Sequence, residues 1–469
     1  MKIMEGTTAV SGSQQNRNRI WSALEQHPVR FLTFLYLLCI LAFLASTRLH
    51  HVDGHLTGSD GTYYYSYLPS LILDHDLDFR NQYEVLISGR EDAKLHASEG
   101  RPPNKYTIGA AVLWTPFFLI GHLLALALGA AGFPIPLDGM GFTYQIPTML
   151  GSITYGFAGV LLLHRSCCRF FSRRASAFSS VLIWLATNLI YYMIAEPSMS
   201  HACSFFAASL FLNLWLSYRP DPTLYQWLLL GLSGGLIALV RPPDATWLAL
   251  PAIDLVLTAG TGWKGRLLRS IRGLIVFGIA AAIFFLPQFL IWQGLDATPT
   301  MHGRSSAARY NVHLHWFSPD VLPLLFSLSH GLFSWHPVLL FAAAGLFLLY
   351  RKNRSLAVSL TLVFASQVYM ISSWYGWPGG HSFGSRMLIS SLPALAFGLA
   401  ALLEWTAGRR ASAAIFLPAV AFVVWNALFF VQYRFGYIPK LRAITFHEMT
   451  VGKFTMLKDL PSRLQSMLR

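Results

Sequence analysis

Charge is what this sequence has least of. Only 12% of its 469 residues are Asp, Glu, Lys or Arg, while 54% are hydrophobic. A soluble domain carries about a quarter charged residues, so this shortage excludes an ordinary soluble protein. Cysteine is scarce too: Cys39, Cys167, Cys168 and Cys203 sit in or beside hydrophobic stretches, which excludes a disulfide framework. No glycine-rich nucleotide fingerprint and no H-E-x-x-H pair occurs. What is present instead is a series of apolar runs near the length that crosses a bilayer core, among them Phe31–Ala45, Tyr144–Leu163, Ala177–Ile194 and Leu388–Leu403. The expected class is an all-α polytopic membrane protein.

The formal net charge of +14 raises a nucleic-acid reading that the placement of the cations removes. They collect in short loops at Arg165–Arg174, Lys264–Arg272, Arg351–Arg354 and Arg409–Arg410, with Lys2, Arg17, Arg19 and Arg30 in the N-terminal tail. Basic loops stay cytoplasmic, so the excess charge reflects topology and contact with anionic lipid. About eleven spans follow, near 31–48, 143–163, 176–194, 202–217, 226–240, 245–258, 273–292, 331–350, 356–372, 387–403 and 412–431. The first run has no small-residue cleavage site and reads as a retained anchor. Residues 1–30 are then a cytoplasmic tail and 31–431 the membrane domain, with a large first extracytoplasmic loop over 49–142. Residues 432–469 lie on the extracytoplasmic side. Thr107–Ala130, interrupted by Pro116 and His122, is expected as a hydrophobic helix or broken pair in the outer interface. A complete hairpin there preserves the same parity.

On this map the chemistry gathers on the outer side. The stretch "SDGTYYYSYLPSLILDHDLDF" (Ser59–Phe79) places four carboxylates and four tyrosines directly after the first span. Ser59 or Asp60 can cap a helix over Thr62–Leu73, which Pro69 bends or shortens. From spacing alone a cap is the plainer role for Asp60, and an interfacial aromatic belt the plain role for the tyrosines. Asp74, Asp76 and Asp78 lack the glycine and distal glutamate of a calcium loop, so helix termination and pairing with Arg80 are expected. The outer histidines leave a divalent metal open. Smaller outer segments include "EPSMSH" (Glu196–His201) and "RPPD" (Arg241–Asp244). Arg241 and Arg386 flank apolar runs, where a guanidinium snorkels or grips a phosphate. "GWPGGHSFGSR" adds a glycine-rich turn with aromatic walls, whose backbone amides are expected to approach an anion.

Taken together, "SDG" after the first span, "RPPNKYTIGAAVLWTPFFLIGHLL" (Arg101–Leu124), "HRSCCRFFSRRAS", "AEPSMSH", "SHGLFSWHP" and "WYGWPGGHSFGSR" resemble the membrane-embedded glycosyltransferases of the GT-C fold. The similarity is to the bacterial branch of protein mannosyltransferases and lipid A aminoarabinose transferases. It implies transfer of a sugar from a polyprenyl-phosphate carrier to a lipid, glycan or protein acceptor, usually with inversion. The setting it implies is the outer face of the bacterial inner membrane. It also implies that Asp60 is the catalytic base or the group that positions the acceptor. Many relatives have an adjacent acidic pair where Gly61 stands here, which leaves a second carboxylate to be found among Asp74, Asp76 and Asp78. The donor phosphate would be met by Arg386, with Arg241 or Lys105, and the sugar or lipid by Tyr63, Tyr64, Trp374, Trp377 and His381. No cofactor is expected. Two rival functions are a transporter or flippase of lipid-linked sugars, which would bury charges in its spans and show internal repeats, and a polymerase or ligase of different fold. Few span interiors here carry charge, and no repeat is evident.

Overall fold

The computed structural model describes residues 26–47, 55–87, 102, 104–258, 263–294, 314–407 and 412–468. The sequence expectations for the N-terminal tail, for Arg101 and for Arg409–Arg410 lie outside these. The described residues contain no named strand. Their helices, in chain order, begin with α1 (Pro28–Ser46), α2 (Asp60–Pro69), α3 (Arg80–Leu86), α4 (Gly109–Ala130) and α5 (Phe142–Cys167). There follow α6 (Arg173–Leu185), α7 (Leu189–Ile194), α8 (His201–Tyr218), α9 (Leu224–Val240), α10 (Leu250–Thr258) and α11 (Trp263–Gly294). The remainder includes α12 (Val321–Phe326), α13 (Leu332–Trp335), α14 (Val338–Lys352), α15 (Arg354–Ser372), α16 (Leu392–Ala407) and α17 (Ser412–Arg434). Seven helices are long and apolar enough to cross a membrane, and α9 is a shorter apolar one. All eleven expected spans are helical, which establishes a multi-pass membrane fold.

The segment left open between two forms takes the first of them. The stretch after Thr107 forms a single unbroken helix of 22 residues, α4, so neither a broken pair nor a hairpin forms. Pro116 sits inside it without interrupting it. By length and composition α4 can cross a membrane. Its first turn is wedged against the end of α9: a methyl group on Gly109 would lie 2.3 Å from the Leu239 backbone. Thr107 donates to the Val240 carbonyl at 3.0 Å, and the Ile108 amide donates to Gln288 of α11 at 2.7 Å.

Four expected spans are irregular toward the same end of the bundle. The 176–194 segment breaks between α6 and α7, where Asn426 of α17 donates to the free carbonyls of Leu185 and Thr187, both at 2.8 Å. The 245–258 and 387–403 segments begin with 3-10 turns, Pro242–Ala249 and Arg386–Ser391. The 331–350 segment breaks at His336–Pro337. Non-helical backbone at membrane depth persists only where protein or a cavity satisfies it, so these breaks must be satisfied by the surrounding protein or by a cavity. At the opposite end the basic loops meet. Lys352 pairs with Glu404 at 2.6 Å, Glu404 accepts from the Ser172 amide at 2.6 Å, and Arg219 pairs with Asp254 at 2.9 Å.

Candidate active site

Asp60 opens α2 as its first helical residue. Ser59, before it, has φ +50° and no side-chain capping bond, so neither residue is a conventional cap. Asp60 turns instead to Arg386, whose Nη2 donates to Oδ2 at 2.8 Å. The guanidinium is 7% exposed and the carboxylate 26%, so the pair is buried on one side and open on the other. The same Nη2 donates to the Gly379 carbonyl at 2.9 Å. Arg386 Nε is buried with no hydrogen-bond partner, and Nη1 meets the Met199 sulfur at 4.0 Å.

The glycine-rich turn holds Arg386 through the Gly379 carbonyl, and several of its amides are committed within the protein. Those of Gly379, Ser382 and Arg386 close local turns, and that of Phe383 donates to the Tyr192 hydroxyl at 3.0 Å. Gly379, Gly380 and Gly384 have φ of +74°, +62° and +65°, a region that only glycine enters without cost. A methyl group on Gly384 would also lie 2.4 Å from His336 Nε2.

A buried polar network fixes the 3-10 turn that carries Arg386. Asp244 accepts from Ser204 at 2.6 Å and from Ser390 at 2.8 Å. Gln367 donates to Ser390 at 2.8 Å, and Trp247 donates to the Ser390 carbonyl at 3.2 Å. Asp244, Gln367, Ser204 and Ser390 are all buried, so none is left in apolar surroundings without a partner. Arg241, next to Asp244, is buried and directs Nη1 to the Met387 carbonyl at 3.4 Å.

Segment 104–108 closes another side. Asn104 donates to the Tyr63 carbonyl at 2.7 Å, and Tyr67 donates to the Tyr106 carbonyl at 2.8 Å. Tyr64 stacks obliquely on Tyr106, ring centroids 4.8 Å apart, and Lys105 lies 4.8 Å over the Tyr106 ring. Burial alone would raise the Asp60 carboxyl. The Arg386 charge, the Tyr106 hydroxyl and the Lys105 charge outweigh it and hold the carboxyl below the ordinary carboxylate range.

Not every expected site residue joins this cluster. Asp74, Asp76 and Asp78 lie at the far end of α2 and its following π turn, about 20 Å from Asp60 at 1.5 Å per residue. Asp74 accepts from Asn81 and Gln82, Asp76 from Ser70, and Asp78 forms a two-pronged pair with Arg80. They order the chain between α2 and α3. The tyrosines are not an interfacial belt either: Tyr63, Tyr64, Tyr65 and Tyr67 are all buried inside the protein. Tyr63 packs edge-on against Tyr83 at 5.3 Å, while Tyr64 faces Ser200 and Arg241. Trp377 donates to Asp320 at 3.1 Å, Trp374 bridges to Leu314, and His381 is exposed within the electrostatic reach of Arg386 and Lys440.

The carboxylate that does reach the site is Glu196, for which the sequence suggests no role. Burial raises its carboxyl above the ordinary range, against the opposing charges of Arg386, Lys440 and Arg434 and a hydrogen bond from Tyr191 at 3.0 Å. Its loop also explains "SDG": a methyl group on Gly61 would lie 2.1 Å from Ser198 Oγ. A side chain beside Asp60 has no room there, and Glu196 opens the loop that faces it. Among the described residues no three His, Cys, Asp or Glu side chains converge as a metal set.

The described residues thus form a multi-pass helical bundle with irregular helix ends around the Asp60–Arg386 pair. Two solved structures are similar to it. ArnT from Cupriavidus metallidurans in the apo state superposes with a TM-score of 0.51 over 94% of this chain and 73% of ArnT, at 16% identity. The structure of the same ArnT bound to undecaprenyl phosphate gives 0.49 over 94% and 74%, also at 16% identity. The shared property is the fold. No protein-family model and no curated protein sequence matches the chain.

Proposed function

We propose that the protein is a membrane glycosyltransferase that moves a sugar from a polyprenyl-phosphate carrier to an acceptor hydroxyl, with inversion. The observation that carries this reading is the division of Arg386: one nitrogen grips Asp60, while Nε is buried without a partner and Nη1 meets only a thioether. A guanidinium so placed can receive a phosphate oxygen beside a carboxylate base. The acceptor oxygen bonds to the anomeric carbon as the bond from that carbon to the phosphate oxygen breaks. Asp60 takes the acceptor proton, and its lowered pKa keeps it ionised for that task. Arg386 stabilises the charge gathering on the departing lipid phosphate, with Arg241 and Lys105 adding positive field. Glu196, pushed the other way, holds a proton to higher pH and completes a pair of acids with separated roles. Tyr64 and Tyr106 form an aromatic wall beside these groups, and Trp374, Trp377 and His381 are the outer lining proposed for the sugar and isoprenoid. No divalent metal is needed in this scheme. The reaction belongs to the outer face of a bacterial inner membrane, with the N-terminus on the cytoplasmic side.

The test is reconstitution of the full chain in liposomes with radiolabelled polyprenyl-phosphate sugars and candidate lipid, glycan and protein acceptors. Label appearing in an acceptor is the expected result. Donor crossing the bilayer with no transfer to any acceptor would identify a transporter instead.

A further inference from the structure

The chain after α17 does not extend away from the bundle. Gln432 donates to the Glu448 carbonyl at 2.8 Å, and the turn that follows brings Lys453 back along the helix. Lys453 is fully buried: its Nζ lies 3.6 Å from the Trp425 ring centroid and 3.4 Å from that of Phe429, and donates to the Trp425 carbonyl at 3.2 Å. Trp425 is nine residues before Arg434, where the candidate span ends. At 1.5 Å per residue, Lys453 therefore sits about 13 Å back from that end, beside the last turns of a membrane-crossing helix.

That depth gives meaning to what the segment exposes. Met449 and Met456 turn inward and are buried. Phe446, Val451, Phe454 and Leu457 turn outward, Phe446 at 72% and Phe454 at 60% exposure. Val451 and Phe454 line a depression of about 390 Å³ rimmed by Lys458. Arg434, Lys440 and Arg463 line a second groove of about 710 Å³, in which Asp459 is the one carboxylate. From 432 onward the chain has seven Lys or Arg against two acids. Outward aromatics beside a surplus of cations are what an interfacial segment presents to anionic lipid.

We propose that residues 446–458 form a re-entrant anchor in the bilayer interface, on the side where the Asp60–Arg386 pair lies. Its apolar side chains enter the acyl boundary, and Lys440, Lys458 and Arg463 hold the phosphates of anionic lipid headgroups. The anchor requires only that α17 crosses the membrane and is independent of the proposed reaction.

The full chain in nanodiscs provides the test, with Phe454→Cys carrying an environment-sensitive fluorophore. Cys39, Cys167 and Cys203 are buried, and replacing the half-buried Cys168 by Ser leaves the new thiol as the reactive one. Blue-shifted emission, quenched by lipids with a nitroxide near the headgroup and protected from aqueous iodide, is expected at position 454. The same label at Gln465→Cys, an exposed polar position, should report water. Quenching of the 454 label by iodide and not by the lipid would overturn the proposal. Lys440→Gln with Lys458→Gln should reduce retention of phosphatidylglycerol over phosphatidylcholine about fivefold per cation removed. Unchanged retention would refute the headgroup assignment.

Discussion

Gly61→Ala puts the placement of Asp60 to a direct test. The added methyl carbon would meet Ser198 Oγ at 2.1 Å and Ser198 Cβ at 2.7 Å, where ordinary contact begins near 3.4 Å. The hydroxyl can rotate away but Cβ cannot, so the start of α2 or the 195–200 loop must move by about 0.7 Å. Displacements near 1 Å cost about 100-fold in rate when they separate catalytic groups. Helix propensity works in the opposite direction, since alanine favours a helix over glycine by about 1 kcal/mol. A loss of activity cannot then be blamed on a weaker α2. The assay is single-turnover transfer from a labelled donor, with donor binding measured separately. Pairing Gly61→Ala with Ser198→Gly removes both clashing atoms and leaves the Ser198 carbonyl carbon, at 3.0 Å, as the nearest obstacle. The pair should recover most of the rate. Wild-type transfer by Gly61→Ala alone would refute the view that this contact sets the base.

Other outcomes follow from the same geometry. Because Asp60 is held below the ordinary carboxylate value of about 4, transfer should stay flat as pH falls to that value and fail only beneath it. In Arg386→Met the largest lowering influence is gone and burial remains, so the acid limb should rise, and an unmoved limb would contradict the coupling. Asp244→Ala strips two buried serine hydroxyls of their acceptor and should cost about 2–4 kcal/mol in stability by thermal melting in detergent. Asp244→Asn should lose less, and equal losses would count against the network as the cause. Chelation with EDTA should leave transfer unchanged, whereas restoration of activity by an added divalent ion would show a metal requirement.

Much of this architecture is legible in the sequence. Apolar length gives the eleven helical segments, because a bilayer imposes its thickness on composition. Asp60 and Arg386 stand out as ionisable groups in a chain with few, yet their contact spans 326 residues and no local spacing predicts it. The same holds for Asp244 with Ser390, and for Glu196, whose importance depends on which loop α2 packs against. Local reasoning holds where residues satisfy one another nearby: Asp78 pairs with Arg80 as expected, and Asp74 and Asp76 accept from Asn81, Gln82 and Ser70. At Thr107–Ala130 it leaves a helix and a broken pair open, and tertiary packing holds one helix. The glycine-rich turn is where the sequence places it, and its hold on Arg386 through the Gly379 carbonyl is something only the tertiary structure supplies.

The central claim is that Asp60 removes the acceptor proton beside a phosphate held by Arg386. Asp60→Asn keeps the shape of the side chain and removes the base. In purified, lipid-reconstituted protein the variant should still bind the polyprenyl-phosphate sugar and lose transfer by about 100- to 10,000-fold. Transfer at the wild-type rate by Asp60→Asn would contradict the account.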